Sequence, residues 1–200
     1  MSVTQGRGNG DRPATPVVSG GARRARSRSP RAQRPPTPWF LVDSVAEAVD
    51  VARQHGDVLV VDLENTLVDY GSTAEQRHTA MTGVLDAVAA AGGLRRVAFV
   101  SNARFVLAAP AHDELTVHAL TKARKPYVNI PPLRRLRDDL RGAAVYGDQP
   151  LTDGRLARNL GGIWLQPRHA HEPAPDEPWW PRVMRRRGQR VVRREFQRSG

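Results

Sequence analysis

Val58-Leu59-Val60-Val61 is an uninterrupted apolar run that ends abruptly in a carboxylate, Asp62. Four β-favouring residues in a row leave no polar face, which is the pattern of a strand covered on both sides. Such a strand belongs in a parallel sheet flanked by helices, and argues against a sheet with one wet face. The pattern recurs at Val97-Ala98-Phe99-Val100, more weakly over Leu115–Leu120, again at Ala143-Ala144-Val145-Tyr146, and finally at Ile163-Trp164-Leu165.

Helical segments alternate with these runs. Order begins near Trp39-Phe40-Leu41-Val42. Ser44 offers an N-cap with Glu47 three residues on, a capping box, for a helix to about Gln54. Residues 75–91 read as a helix stopped by Gly92-Gly93. Pro131-Pro132 opens a predicted helix to about Leu140, and another runs from about Asp153 to Leu160, ended by Gly161-Gly162. Strand–helix alternation with short connections predicts an α/β fold, doubly wound around a mainly parallel sheet. There is no internal repeat. Only a short stretch separates Asp62 from the next helix, so the fold has room for a minimal cap.

In a doubly wound sheet, ligands bind beyond the carboxyl ends of the strands. Asp62, Glu64 and Thr66 follow the first run, and Ser101-Asn102 the second. Lys125-Pro126 follows the third, and Gly147-Asp148 the fourth, with Asp153 five residues on. Each has a plain structural reading when taken alone: a helix cap, a turn, a surface lysine, a strand exit. Brought to one sheet edge in order, they form a set suited to phosphoryl transfer. Clustered carboxylates repel unless a cation joins them, and hard oxygen ligands favour Mg²⁺. A carboxylate can attack phosphorus, while an ammonium and a hydroxyl can hold the equatorial oxygens.

These runs resemble the haloacid-dehalogenase (HAD) superfamily. The most specific are Asp62-Leu63-Glu64-Asn65-Thr66-Leu67-Val68, Val100-Ser101-Asn102, Ala123-Arg124-Lys125-Pro126 and Gly147-Asp148-Gln149-Pro150-Leu151-Thr152-Asp153, followed by Asn159-Leu160-Gly161-Gly162. Together with Val42-Asp43-Ser44 they are most similar to subfamily IIIA and its YqeG-like branch, which includes phosphatidylglycerophosphate phosphatases. The resemblance covers residues 38–170. It implies an Mg²⁺-dependent phosphomonoester hydrolase working through an aspartyl-phosphate on Asp62. Asp62, the backbone carbonyl of Glu64, and Asp148 would hold the metal. Ser101, Asn102 and Lys125 would bind the phosphoryl group. Thr66 would brace the loop, and Asp153 would support the metal or Lys125. The implied substrate is phosphatidylglycerophosphate or another bulky phosphorylated molecule, since an open site suits lipid headgroups. One departure stands out: the family usually has Asp where this chain has Glu64, the general acid and base. Glu shares its intrinsic pKa range but adds a methylene, and catalytic geometry responds to shifts of about 1 Å.

Charge is unevenly placed. The chain carries a net +11, and Arg accounts for nearly all its basic residues. Residues 1–37 hold eight Arg and one acid, and residues 178–200 the same, so the middle is mildly acidic. The first 37 residues, rich in Gly, Pro, Ser and Arg, are expected to be a disordered basic tail. Their composition also fits an organelle transit peptide, against which the Gly and Pro content argues. After residue 170 a Pro-containing linker leads to Trp179-Trp180 and an Arg-rich end. That end suggests peripheral contact with an anionic membrane or with nucleic acid. No apolar run approaches the roughly 20 residues that span a bilayer, so the expectation is a cytoplasmic protein without a transmembrane segment. Cysteine is absent, which excludes disulfides, thiolate metal sites and a cysteine nucleophile. Two alternatives stand beside the hydrolase: a catalytically impaired binding module with the same fold, marked by Glu64, and a nucleic-acid-binding protein acting through its basic tails.

Overall fold

The computed structural model describes residues 35–168, together with Val183, Arg187, Gly188, Val192, Glu195 and Phe196–Arg198. The expected basic tail up to residue 34, the linker and Trp179-Trp180 lie outside the described residues. Among those described, no helix is long and apolar enough to cross a membrane.

Seven strands form one sheet: β1 (Thr37–Val42), β2 (Val58–Val61), β3 (Arg96–Val100), β4 (Thr116–Leu120), β5 (Ala144–Tyr146), β6 (Ile163–Pro167) and β7 (Phe196–Arg198). Their spatial order is β4-β3-β2-β5-β6-β1-β7, and every pairing is parallel. The expected α/β class with a parallel sheet is what the structure shows. Helices α1 (Val45–His55), α2 (Ala74–Ala91) and α3 (Arg155–Leu160) connect the strands.

The apolar runs split residue by residue between two cores, as strand pleating demands. Leu59, Val61, Val97, Phe99, Tyr146 and Leu165 point to one side, against α1 and α2. There α2 presents Met81, Val84, Leu85 and Val88 at helical spacing. Val58, Val60, Ala98, Val100, Val145 and Trp164 point to the other side, against Leu156 and Leu160 of α3, with Leu133, Leu140 and Phe196. Edge strand β4 is only half-buried, which accounts for its weaker apolar signal.

Caps set the helix starts. Ser44 Oγ accepts from Glu47 N as expected, but the Glu47 carboxylate reaches past the cap and accepts from Asp43 N. The complete capping box belongs to α2, where Thr73 and Gln76 exchange both bonds.

Two expectations need correction. The predicted helix from Pro131 to Leu140 is only a 3₁₀ turn, Leu133–Arg135, followed by further turns. Two consecutive prolines supply no N–H to start a ladder. Burial of Leu133 and Leu140 fixes the segment instead. The predicted helix from about Asp153 to Leu160 forms as α3 from Arg155, preceded by a π-helical turn over Pro150–Gly154.

The C-terminal end, expected beyond the domain, contributes β7, which pairs with β1 along Thr37–Trp39. Phe196 enters the second core. Glu195 accepts from Arg155 at 2.7 and 3.2 Å and from Arg158 at 2.8 Å. The Arg155 hydrogen bond, opposed by burial and reinforced by the charges of both arginines, holds the Glu195 carboxyl below its ordinary value of 4.5.

A lowered carboxylate pKa contributes stability that is present above the ordinary value and lost as pH falls through the folded-state value. The gap in melting temperature between the parent chain and Glu195→Gln is therefore expected to be full at neutral pH and to close under acid; a gap independent of pH would contradict the pairing. Two glycines give a second test. A Cβ on Gly162 would meet the Ala143 carbonyl oxygen at 1.9 Å, whereas one on Gly83, exposed within α2, would meet nothing. Gly162→Ala is expected to cost about 1–3 kcal/mol in chemical denaturation, and Gly83→Ala to add roughly 0.5–1 kcal/mol.

Candidate metal and phosphate site

Strand order reverses at β2. The chain leaves β2 toward β3 and β4 on one side, then returns to β5 on the other. The diverging loops open a crevice at the carboxyl ends of these strands, the place where open α/β sheets bind ligands. Asp62 sits there, its N–H donating to the Tyr146 carbonyl at 2.9 Å.

Beyond Asp62 the chain turns tightly. The Leu63 carbonyl accepts from Leu67 N at 2.8 Å and Val68 N at 3.1 Å. Asn65 takes a left-handed conformation with φ 59°, one that Asn tolerates better than most side chains. Thr66 Oγ1 accepts from Asp148 N at 3.1 Å, tying the loops after β2 and β5 together.

Lys125 is the centre of the site. Its ammonium lies 2.6 Å from Asp62 Oδ1 and 2.6 Å from Asp153 Oδ1, and all three side chains are buried. Asp62 Oδ1 also accepts from Leu63 N at 2.9 Å. Asp153 Oδ2 accepts from Gln149 N at 3.1 Å. One carboxylate oxygen each from Asp62, Asp148 and Asp153 lies within 4.8 Å of the others.

The charge balance of this cluster is one-sided. Burial, then the neighbouring charge of Asp153, pushes the Asp62 carboxyl up to about 7 against the pull of Lys125 and Leu63 N–H. Burial by itself would lower the Lys125 ammonium, but Asp153 and Asp62 more than offset it and hold it above its ordinary value. One buried ammonium, paired with Asp62 and Asp153, set among three converging carboxylates leaves negative charge that a hard cation would neutralise. An all-oxygen donor set suits Mg²⁺, and the residues present therefore fit that ion.

Glu64 lies at the rim, half-buried. Its Oε2 accepts from Ser101 Oγ at 3.1 Å, and Ser101 Oγ in turn accepts from Ala103 N at 3.0 Å. Burial raises the Glu64 carboxyl, opposed by the Ser101 hydroxyl and by the charges of Lys125 and Arg77.

The structure thus brings Asp62, Glu64, Thr66, Ser101, Lys125, Asp148 and Asp153 to one sheet edge. Two placements carry detail that the strand-end pattern did not. Asn102 is exposed, and its Oδ1 accepts from Lys125 N at 2.7 Å, so its side chain fixes the lysine loop. Asp153, expected to support the metal or Lys125, pairs with Lys125 and lies in the triad of clustered carboxylates, while the Glu64 side chain faces Ser101.

The fold adds Arg77 to the site and shows why residue 147 is a glycine. Arg77 stacks over Phe105 with its guanidinium carbon 4.1 Å from the ring centre, bonds the Ser72 carbonyl, and reaches Glu64 with its charge. In sequence it is one more arginine near a helix start. Gly147 gives way to Asp153: a Cβ there would lie 2.4 Å from Asp153 Cγ. The Gly-Asp pair hinted at a tight exit, but only the return of Asp153 explains the missing side chain.

Comparison with known proteins gave no match to a family model, to a curated protein or to a solved structure.

Removing one partner of a buried ion pair strands the others, at about 3–5 kcal/mol. Lys125→Met is expected to lower the unfolding free energy by that order in urea. Adding Asp153→Asn to it should recover part of the loss, because contacting groups are not additive. Strict additivity of the two changes would contradict the shared network.

Proposed function

We propose that this chain is an Mg²⁺-dependent phosphomonoester hydrolase of the haloacid-dehalogenase type. The observation that carries this reading is the buried Asp62, Asp148 and Asp153 cluster around Lys125 at the point where strand order reverses. Magnesium, when bound, would offset phosphate charge and allow a carboxylate to approach phosphorus. Asp62, Asp148 and Asp153 offer it side-chain oxygens.

The chain's own residues supply the rest. A carboxylate oxygen of Asp62 attacks phosphorus, forming an aspartyl-phosphate as the bond to the leaving oxygen breaks. Glu64, in its protonated form, gives its proton to that oxygen, which departs as an alcohol. The Glu64 carboxylate then takes a proton from water. The resulting hydroxide oxygen attacks phosphorus, releasing inorganic phosphate and regenerating Asp62. Burial favours protonated Glu64, as the first step needs. Lys125 and Ser101 are placed to hold the phosphoryl oxygens where charge spreads.

The loops after β2 and β3 carry no separate domain over the crevice, so the substrate's body can extend outward. This favours phosphate on a bulky molecule, phosphatidylglycerophosphate among them. Contact of the Arg-rich termini with anionic membrane or nucleic acid would be an addition to this activity.

One observation favours a second reading. The Ser101 hydroxyl is engaged by Glu64 rather than turned to an incoming phosphate. A chain locked in that pairing would bind phospho-ligands without turning them over.

Hydrolysis of a generic phosphomonoester with Mg²⁺ should vanish in Asp62→Asn. Glu64→Gln is expected to lower kcat by about 10²–10⁴, the usual worth of a general acid and base. Parent activity no greater than that of Asp62→Asn would sink the hydrolase. Activity appearing only in Glu64→Asp would establish the binding module instead.

A further inference from the structure

The loop that carries Asp148 and Asp153 is backed by residues near the far end of the chain. Phe196 is buried with its ring centre 5.1 Å from that of Trp164. A Cβ on Gly154 would lie 2.8 Å from Phe196 Cζ and 3.2 Å from Trp164 Cδ2. Both rings therefore press on the backbone of the residue that follows Asp153. Trp164 Nε1 also donates to the Gly147 carbonyl at 2.9 Å, gripping the start of the same loop. Gly188 lies against the Pro150 ring, where a Cβ would come within 3.0 Å of Cγ. Glu195 fastens this backing to Arg155 and Arg158, which directly follow the loop.

We propose that Glu195 and Phe196 are positioning residues for the carboxylate cluster: the C-terminal segment clamps the Gly147–Gly154 loop and so sets where Asp148, Asp153 and, through Asp153, the Lys125 ammonium stand. Asp153 has little slack. One of its oxygens is 2.6 Å from Lys125, the other accepts from Gln149 N, and its carboxyl fills the space that Gly147 leaves open. The loop is held in front by Thr66, through Asp148 N. Behind, Trp164 and Phe196 stand against Gly154, and movement of Gly154 away from Gly147 would draw Asp153 off the ammonium. Phe196 blocks it by close contact, and Glu195 keeps Phe196 seated by binding two arginines at once. Residues that support metal ligands from outside typically alter affinity or activity 10–100-fold when changed.

As far as it concerns metal, this inference rests on the hydrolase reading; as far as it concerns the loop, it does not. The test uses the full chain with Glu195→Gln and Phe196→Leu, changes that keep most of the side-chain volume. Arg53→Gln, which breaks an exposed pair with Asp50, serves as control. Mg²⁺ alone is titrated by calorimetry, and amide hydrogen exchange is followed over residues 147–154 and over β3. Each variant should weaken Mg²⁺ binding by about 10–100-fold and speed exchange in 147–154 while leaving β3 and the control unchanged. Unaltered Mg²⁺ affinity together with unaltered exchange in the loop would overturn the clamp, even if the melting temperature fell. Exchange that quickens equally in the loop and in β3 would also overturn it, as a general loss of stability. A parent chain that takes up no Mg²⁺ counts against the hydrolase, and loop exchange alone then decides the clamp.

Discussion

The Lys125 ammonium, set between Asp62 and Asp153, is the interaction on which the site depends. Three carboxylates cannot share a dry pocket without cations, because burial disfavours each charge and their mutual repulsion adds to it. Lys125 answers part of that charge and draws together loops that follow three different strands. The remainder explains why Asp62 is pushed toward neutrality by burial and by Asp153. The same imbalance is one that a hard cation would offset. Charge balance and loop order are thus consequences of one arrangement.

The sheet creates the conditions for it. A fully parallel sheet covered on both faces places its strand ends at one edge, and reversal of strand order at β2 opens a crevice there. Strands β2 and β5 are neighbours, so Asp62 and Asp148, distant in sequence, are brought together by the ladder that pairs Val61 with Tyr146. Ser101 directly follows β3, which lies next to β2 on the other side. Glu64, two residues beyond Asp62, then falls within reach of Ser101, and the pair fixes the state in which a phosphate would find the site.

Much of this was legible in sequence because burial leaves a plain mark. Apolar runs without a polar face marked β2, β3, β5 and β6, and the polar residues at their ends marked the crevice. Legibility failed where the cause was not local. The segment 131–140 has leucines at helical spacing, but two prolines and the burial of Leu133 and Leu140 produce turns. Asn102 follows Ser101 at a strand end, but that its Oδ1 accepts from Lys125 N, 23 residues away, is set by the fold and not by its neighbours in sequence. Phe196 and Glu195 sit in a basic stretch whose composition suggested a solvated end, and nothing near them in sequence reveals Trp164, Gly154 or the two arginines.

The sequence by itself determined the class of fold and the residue types gathered at the strand ends, since periodicity and residue chemistry are properties of short stretches. Tertiary structure alone decided which carboxylates cluster, which of them hold Lys125, how Glu64 meets Ser101, and what supports the loop from behind. Those are contacts between distant parts of the chain, and their distances are set by strand register, by glycines at positions of close approach and by the packing of Phe196 on Trp164. The carboxylate at the end of Val58–Val61 announced a site; the ammonium that reaches it from the loop after β4 defines one.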